Sequence, residues 1–198
     1  MNSFRKQLTL PLLAVALFAS MKETKAQQKD AGDDETYLSP SAPVATGKAP
    51  GMKVRLLAEN GGVKNYAIVL AKGDEVMSGL TDFAKQYKIT AASFTAIGAF
   101  SHTTVAWFDD SRKEFKLNPI KQQVELVSMI GNITLVNDQP AVHTHVAVAS
   151  SDGTVRGGHV INAFVFPTLE VFMTAYPTPL HKEPDEATGL NLIDPSVK

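Results

Sequence analysis

The sequence predicts an α+β fold: a mostly antiparallel sheet of about seven strands packed with one main helix. Three observations carry this expectation. A single stretch near residue 80 has apolar residues at helical spacing. From Ala91 onward the chain breaks into short apolar runs separated by turn residues. No period of 20–50 residues repeats, which excludes solenoids and propellers.

The folded part is expected over residues 52–192, with 193–198 as a tail. Met52 to Glu59 (MKVRLLAE) reads as a strand, Asn60-Gly61-Gly62 as a turn, and Lys64 to Ala71 (KNYAIVLA) as the returning strand. Asp74 is placed to cap a helix in which Val76, Leu80, Phe83, Ala84 and Tyr87 share one face. That stripe needs a sheet to cover it. Strands then follow at Ser93–Ala99, Thr103–Phe108, Glu114–Leu117, Val124–Val136, Val142–Ala149, Thr154–Phe166 and Glu170–Tyr176.

The first 26 residues resemble a secretory signal. Arg5 and Lys6 precede the apolar stretch Leu8 to Ala19, and Thr24-Lys25-Ala26 offers small residues before a cut at Gln27. A periplasmic or secreted protein is therefore expected. Residues 27–51 are polar and rich in Pro, Ala, Ser and Gly, and read as a flexible linker. No apolar run reaches the roughly 18–20 residues of a membrane span, so none is expected in the mature protein.

Charge narrows the partners. The whole chain carries −1, and residues 1–26 hold four bases against one acid, so the remainder carries −4. An acidic body gains nothing from releasing counterions on DNA or RNA, so DNA is not an expected partner. There are no cysteines, so a metal would have to be held by His, Asp or Glu.

The segment PAVHTHVAVASSDGTVRGGH holds three of the five histidines. Ser151-Asp152-Gly153 suits a three-residue hairpin loop, a type I turn closed by a left-handed glycine. In that register residue 150 faces residue 154, and His145 faces His159. His143 lies two residues from His145 and shares its face. Three imidazoles then converge where one divalent metal, zinc in the first instance, could be held with a fourth position open. A loop one residue shorter or longer would turn His159 to the opposite face. The competing expectation is a polar sheet face with hydrogen-bonded histidines.

Several stretches, in order, resemble the plants-and-prokaryotes conserved domain, also called the domain of unknown function 296 family. They are Ile97-Gly98-Ala99-Phe100-Ser101 through Trp107-Phe108-Asp109, then VELVSMIGNIT at Val124 to Thr134, then His143-Thr144-His145 with Gly157-Gly158-His159, then PDEATG at Pro184 to Gly189. The resemblance spans roughly Met52 to Leu192. It implies an antiparallel sheet beside one helix, assembly as a homotrimer, and a histidine triplet able to hold a metal, often zinc. Plant relatives join the domain to DNA-binding AT-hooks, whose Arg-Gly-Arg-Pro core this chain lacks.

Other residues matching the resemblance are secondary candidates. Glu125 could move protons as a general base or support a histidine. Ser128 and Asn132 could orient a ligand, and Gly131 serves backbone geometry. His102 reads as a surface residue, His181 as a tail residue without a role, and Trp107 as core or trimer interface. No Ser-His-Asp order or phosphate-cradling glycine loop is present. The function expected from these residues is an exported homotrimeric domain whose His143, His145 and His159 hold a metal that binds, and could convert, an unidentified small ligand. The alternatives are a non-enzymatic assembly module and a DNA-binding regulator.

Overall fold

The structure, a computed structural model, describes residues 36–197. The signal expected over 1–26 lies outside the described residues. The elements run β1 (Tyr37–Leu38), β2 (Lys53–Asn60), β3 (Val63–Ala71), α1 (Val76–Tyr87), β4 (Ala92–Asp109), β5 (Glu114–Ile120), β6 (Val124–Val136), β7 (Gln139–Ala149), β8 (Val155–Ala175), β9 (His181–Pro184) and β10 (Asn191–Asp194).

The α+β class and the one helix agree with the sequence, but the sheet has ten strands among the described residues rather than about seven. Two expected pairs of short strands are single long ones. Ser93–Ala99 and Thr103–Phe108 merge into β4, and Thr154–Phe166 and Glu170–Tyr176 merge into β8. The expected strands end at Phe166 and resume at Glu170, on either side of Pro167, a residue that cannot donate to a ladder. In the structure Pro167 falls where β4 and β8 shift register, between the pairs Phe100–Val165 and Gly98–Leu169, so no ladder bond is required of it. The remaining additions, β1, β9 and β10, are strands of two to four residues, too short for an alternation to show.

Four strands close on themselves. β4 pairs with β6 and with β8, β6 pairs with β7, and β7 pairs with β8, all antiparallel. β5 extends the sheet beyond the second half of β4, and β3 and β2 extend it beyond the second half of β8. One face of these strands is buried: Phe94, Met129, Ile133, Val146, Val160 and Val171 are all under 6% exposed. α1 contributes Val76, Leu80, Phe83 and Ala84 to the same core, as its spacing predicted. Each fully buried Leu or Phe of this kind stabilises the fold by about 1.5–3 kcal/mol.

The helix start differs from expectation by one residue. Glu75, not Asp74, caps α1; its carboxylate accepts from the backbone N–H of Met77 and Ser78. It also accepts from the N–H of Ala163 in β8, so a buried carboxylate joins helix to sheet. The Asp74 carboxylate accepts instead from Ala71 and Gly51. That bond, with Gly47 donating to Asp82 and Lys48 to Ser78 Oγ, pins part of the stretch expected to be a flexible linker. No helix among the described residues is long and apolar enough to cross a membrane.

Candidate metal centre

The register on which the histidine site depends is the one the loop sequence predicts. Ser150 N–H donates to the Thr154 carbonyl and Gly153 N–H to the Ser150 carbonyl, both at 2.9 Å. Gly153 has φ +80°, the left-handed conformation that closes such a loop. The Asp152 carboxylate accepts from Thr154 N–H at 2.9 Å, and hydrogen bonding to Thr154 holds it below the usual carboxylate range. The pairing then runs unshifted from Ala149–Val155 to His145–His159.

Two glycines let β8 come close enough to hold that register. A Cβ at Gly157 would run into the carbonyl oxygen of Val146 on β7. A Cβ at Gly158 (φ +156°) would lie 2.6 Å from the carbonyl oxygen of Ala106 on β4. His159 follows directly, seated between the two neighbouring strands.

His143, His145 and His159 point away from the face that buries Val146 and Val148. Each offers a ring nitrogen within 4.8 Å of the others. The Nε2 atoms of His143 and His145 are 3.3 Å apart. Tetrahedral zinc with Zn–N bonds near 2.0–2.1 Å places its donors about 3.3 Å from one another. Two of the three rings therefore stand at metal-bridging distance, and the third needs a shift of roughly 1.5 Å at most to join them. Phe115 on β5 stacks on His159, centroids 4.6 Å apart and planes within 8°, which fixes that ring's plane.

The electrostatics favour neutral rings. Burial first, then the charge of Lys182 and the neighbouring His145, lowers His143 from 6.5 to about 4. Burial first, then His143, His145 and Lys182, lowers His159 to about 4. A metal ligand must be a neutral imidazole, so at neutral pH these two need lose no proton. The donor set, three imidazoles without carboxylate or thiolate, fits zinc with one position left open.

The other sequence candidates are dispersed. Asn132 pairs with His143 and, with Ile130, His143 and His145, lines a pocket of about 300 Å³. Its Oδ1 is buried without a hydrogen-bond partner. Ser128 is exposed and pairs with Ala147, two rows from the Ile130–His145 pair. Glu125 is exposed and pairs with Ala149, four residues along β7 from His145 and hence about 13 Å from it. The register thus sets Glu125 apart from the triad. His102 stacks on Phe164, and His181 pairs with Leu135; neither joins the cluster. Trp107 is 62% exposed, which removes the core placement expected for it. Lys182 is the neighbour of the site that sequence reasoning missed, because only the course of β9 brings it there.

A model of the Plants and Prokaryotes Conserved domain matches residues 57–177. The chain belongs to this family. Among solved structures, a plant- and prokaryote-conserved protein of Pyrococcus horikoshii is 28% identical, with TM-score 0.63, over 78% of this chain and 99% of that one. A protein of Archaeoglobus fulgidus described as metal-containing is 30% identical, with TM-score 0.63, over 71% of this chain and 98% of that one. A Ralstonia eutropha JMP134 protein, described provisionally as DNA-binding, is 31% identical, with TM-score 0.62, over 65% and 90%. A curated relative, the bifunctional protein GlmU of Synechococcus sp. (strain JA-3-3Ab), is 25% identical over 132 residues, 65% of this chain. The match spans only 20% of that relative's length. This member of the conserved-domain family keeps all three histidines of its hairpin together in space.

Proposed function

We propose that this chain is an exported, homotrimeric member of the family that holds a zinc ion through His143, His145 and His159 and binds a small ligand there. The observation that carries the proposal is the convergence of three imidazole donors within 4.8 Å. The metal-containing description of the Archaeoglobus relative supports it. The ion would supply Lewis acidity at an open coordination position. The chain's own residues do the rest. The two half-buried imidazoles stay neutral, Phe115 fixes the ring of His159, and the pocket beside Asn132 admits a small molecule.

Metal content of the purified protein tests this. Mass spectrometry should find about one zinc per chain in the wild type and none in His145→Ala, as three-ligand zinc sites require. Wild-type protein without metal after zinc incubation would overturn the proposal.

Assembly is supported by a band of exposed apolar residues on the histidine-bearing face: Ile97, Ile130 and Phe172 are each more than half exposed. Surfaces of that kind mark contact with other chains. Light scattering at micromolar concentration should give three times the chain mass, and a monomer would refute this part. Export predicts a mature N-terminus at Gln27, which N-terminal sequencing reads. A DNA-binding role is suggested by the description of the Ralstonia relative. The −4 balance of residues 27–198 opposes it, and salt-dependent retardation of duplex DNA would reinstate it.

A further inference from the structure

The charges around the triad select the kind of ligand. Three neutral imidazoles leave the whole charge of a divalent ion uncompensated, and no carboxylate belongs to the cluster among the described residues. A second positive charge lies on the same face of the sheet. Leu135 N–H donates to the Leu180 carbonyl at 2.8 Å, and His181 pairs in parallel with Leu135, so β9 is fastened alongside β6. Side chains alternate along a strand. His181 takes the face of buried Leu135, and Lys182 takes the opposite face, that of Asn132 and His143. The ammonium charge reaches both His143 and His159.

Lys182 is half-buried, and among the described residues no carboxylate lies within ion-pair distance of it. Neither acid that follows it in the chain pairs with it. Glu183 is exposed and follows on the other face of β9, and Asp185 is tied to the Thr188 hydroxyl and backbone. A partly buried ammonium without a counter-ion is costly. Burial accordingly holds its pKa below the usual lysine value. A neutral or cationic ligand would leave the positive charge unanswered.

We infer that the site takes an oxyanion, a carboxylate or a phosphate, held between the metal-bearing triad and the ammonium of Lys182. The inference rests on the zinc proposal above. It names Lys182 as the residue that selects anions, and it adds the class of ligand that the histidines alone do not specify.

The test uses the full mature chain loaded with cobalt(II), whose visible spectrum reports what enters its coordination sphere. Acetate and inorganic phosphate are titrated separately into wild type, Lys182→Met and Lys182→Arg, with cobalt stoichiometry measured for each. The expected result is a saturable spectral change with at least one of the two anions. Its Kd should rise about tenfold or more in Lys182→Met, the scale of a hydrogen bond to a charged group, and be largely restored in Lys182→Arg. Stoichiometry of one cobalt per chain in all three shows that the site is still assembled. The tighter of the two anions identifies the headgroup. Equal affinities in wild type and Lys182→Met, or no spectral change with either anion, would overturn the inference while leaving the metal site standing. Failure of the wild type to bind cobalt would overturn the metal proposal, and the anion with it.

Discussion

Acid should weaken the metal-stripped protein through two imidazoles. His143 and His159 have folded pKa values of about 4 against 6.5 for an ordinary histidine. Between those values the unfolded chain binds protons that the folded chain refuses, so stability is fully present above pH 6.5 and is lost as the pH falls toward 4. For His159 a displacement of that size corresponds to about 3 kcal/mol. The ring of His143 is more open to solvent, and screening reduces its share to about half of that. Together the loss is about 4–5 kcal/mol, taken as a pair because the two rings interact. Small domains have only about 5–15 kcal/mol in total. Urea denaturation at pH 7, 6, 5 and 4, in the presence of a chelator, measures it. At slopes of about 1–3 kcal/mol/M the midpoint should fall by roughly 2 M. Carboxylates also titrate at the acid end, so the same series on His143→Asn/His159→Asn isolates the imidazoles. Identical pH dependence in the two proteins would refute the reasoning.

Three further outcomes follow from the packing and register. Gly158→Ala should cost about 1–3 kcal/mol, read from the urea midpoint, and weaken zinc binding, because the new methyl meets the Ala106 carbonyl just before His159. Glu75→Ala should cost about 2–4 kcal/mol without changing metal stoichiometry, since Met77, Ser78 and Ala163 each lose the acceptor for their N–H. Deleting Asp152 should shift the hairpin pairing by one and turn His159 to the other face, abolishing stoichiometric zinc while circular dichroism still reports strands.

The hairpin was legible because its register is a local matter. Ser-Asp-Gly dictates the loop, the loop dictates which residues face one another, and side-chain alternation does the rest. The helix was legible for a similar reason: its stripe repeats over three turns, and four of the five expected residues are buried while Tyr87 is partly exposed. Lys182 was not legible. It reaches the triad through a single parallel bridge between Leu135 and His181, residues far apart in sequence, and nothing in the segment LHKEP announces that partner. The length of β4 and β8 was hidden as well, because register shifts let each strand change partner without a turn, and turn residues are what a sequence displays. Glu125 shows the opposite error. It lies on β6, which pairs with the strand of His143 and His145, and only counting rows of the ladder separates it from them.

All three candidate donors come from one hairpin with a three-residue loop, and that has a consequence for how a metal site there would assemble. The chain closure needed to bring His145 to His159 is short, so its entropic cost is small and slow long-range pairing of β4 with β8 is not a precondition. Hairpins of this kind form within about 1–10 µs. An ion captured at that stage would lock the strand alignment before the ring of strands closes. Zinc should therefore accelerate refolding as well as oppose unfolding, and stopped-flow refolding with and without the ion reads the difference.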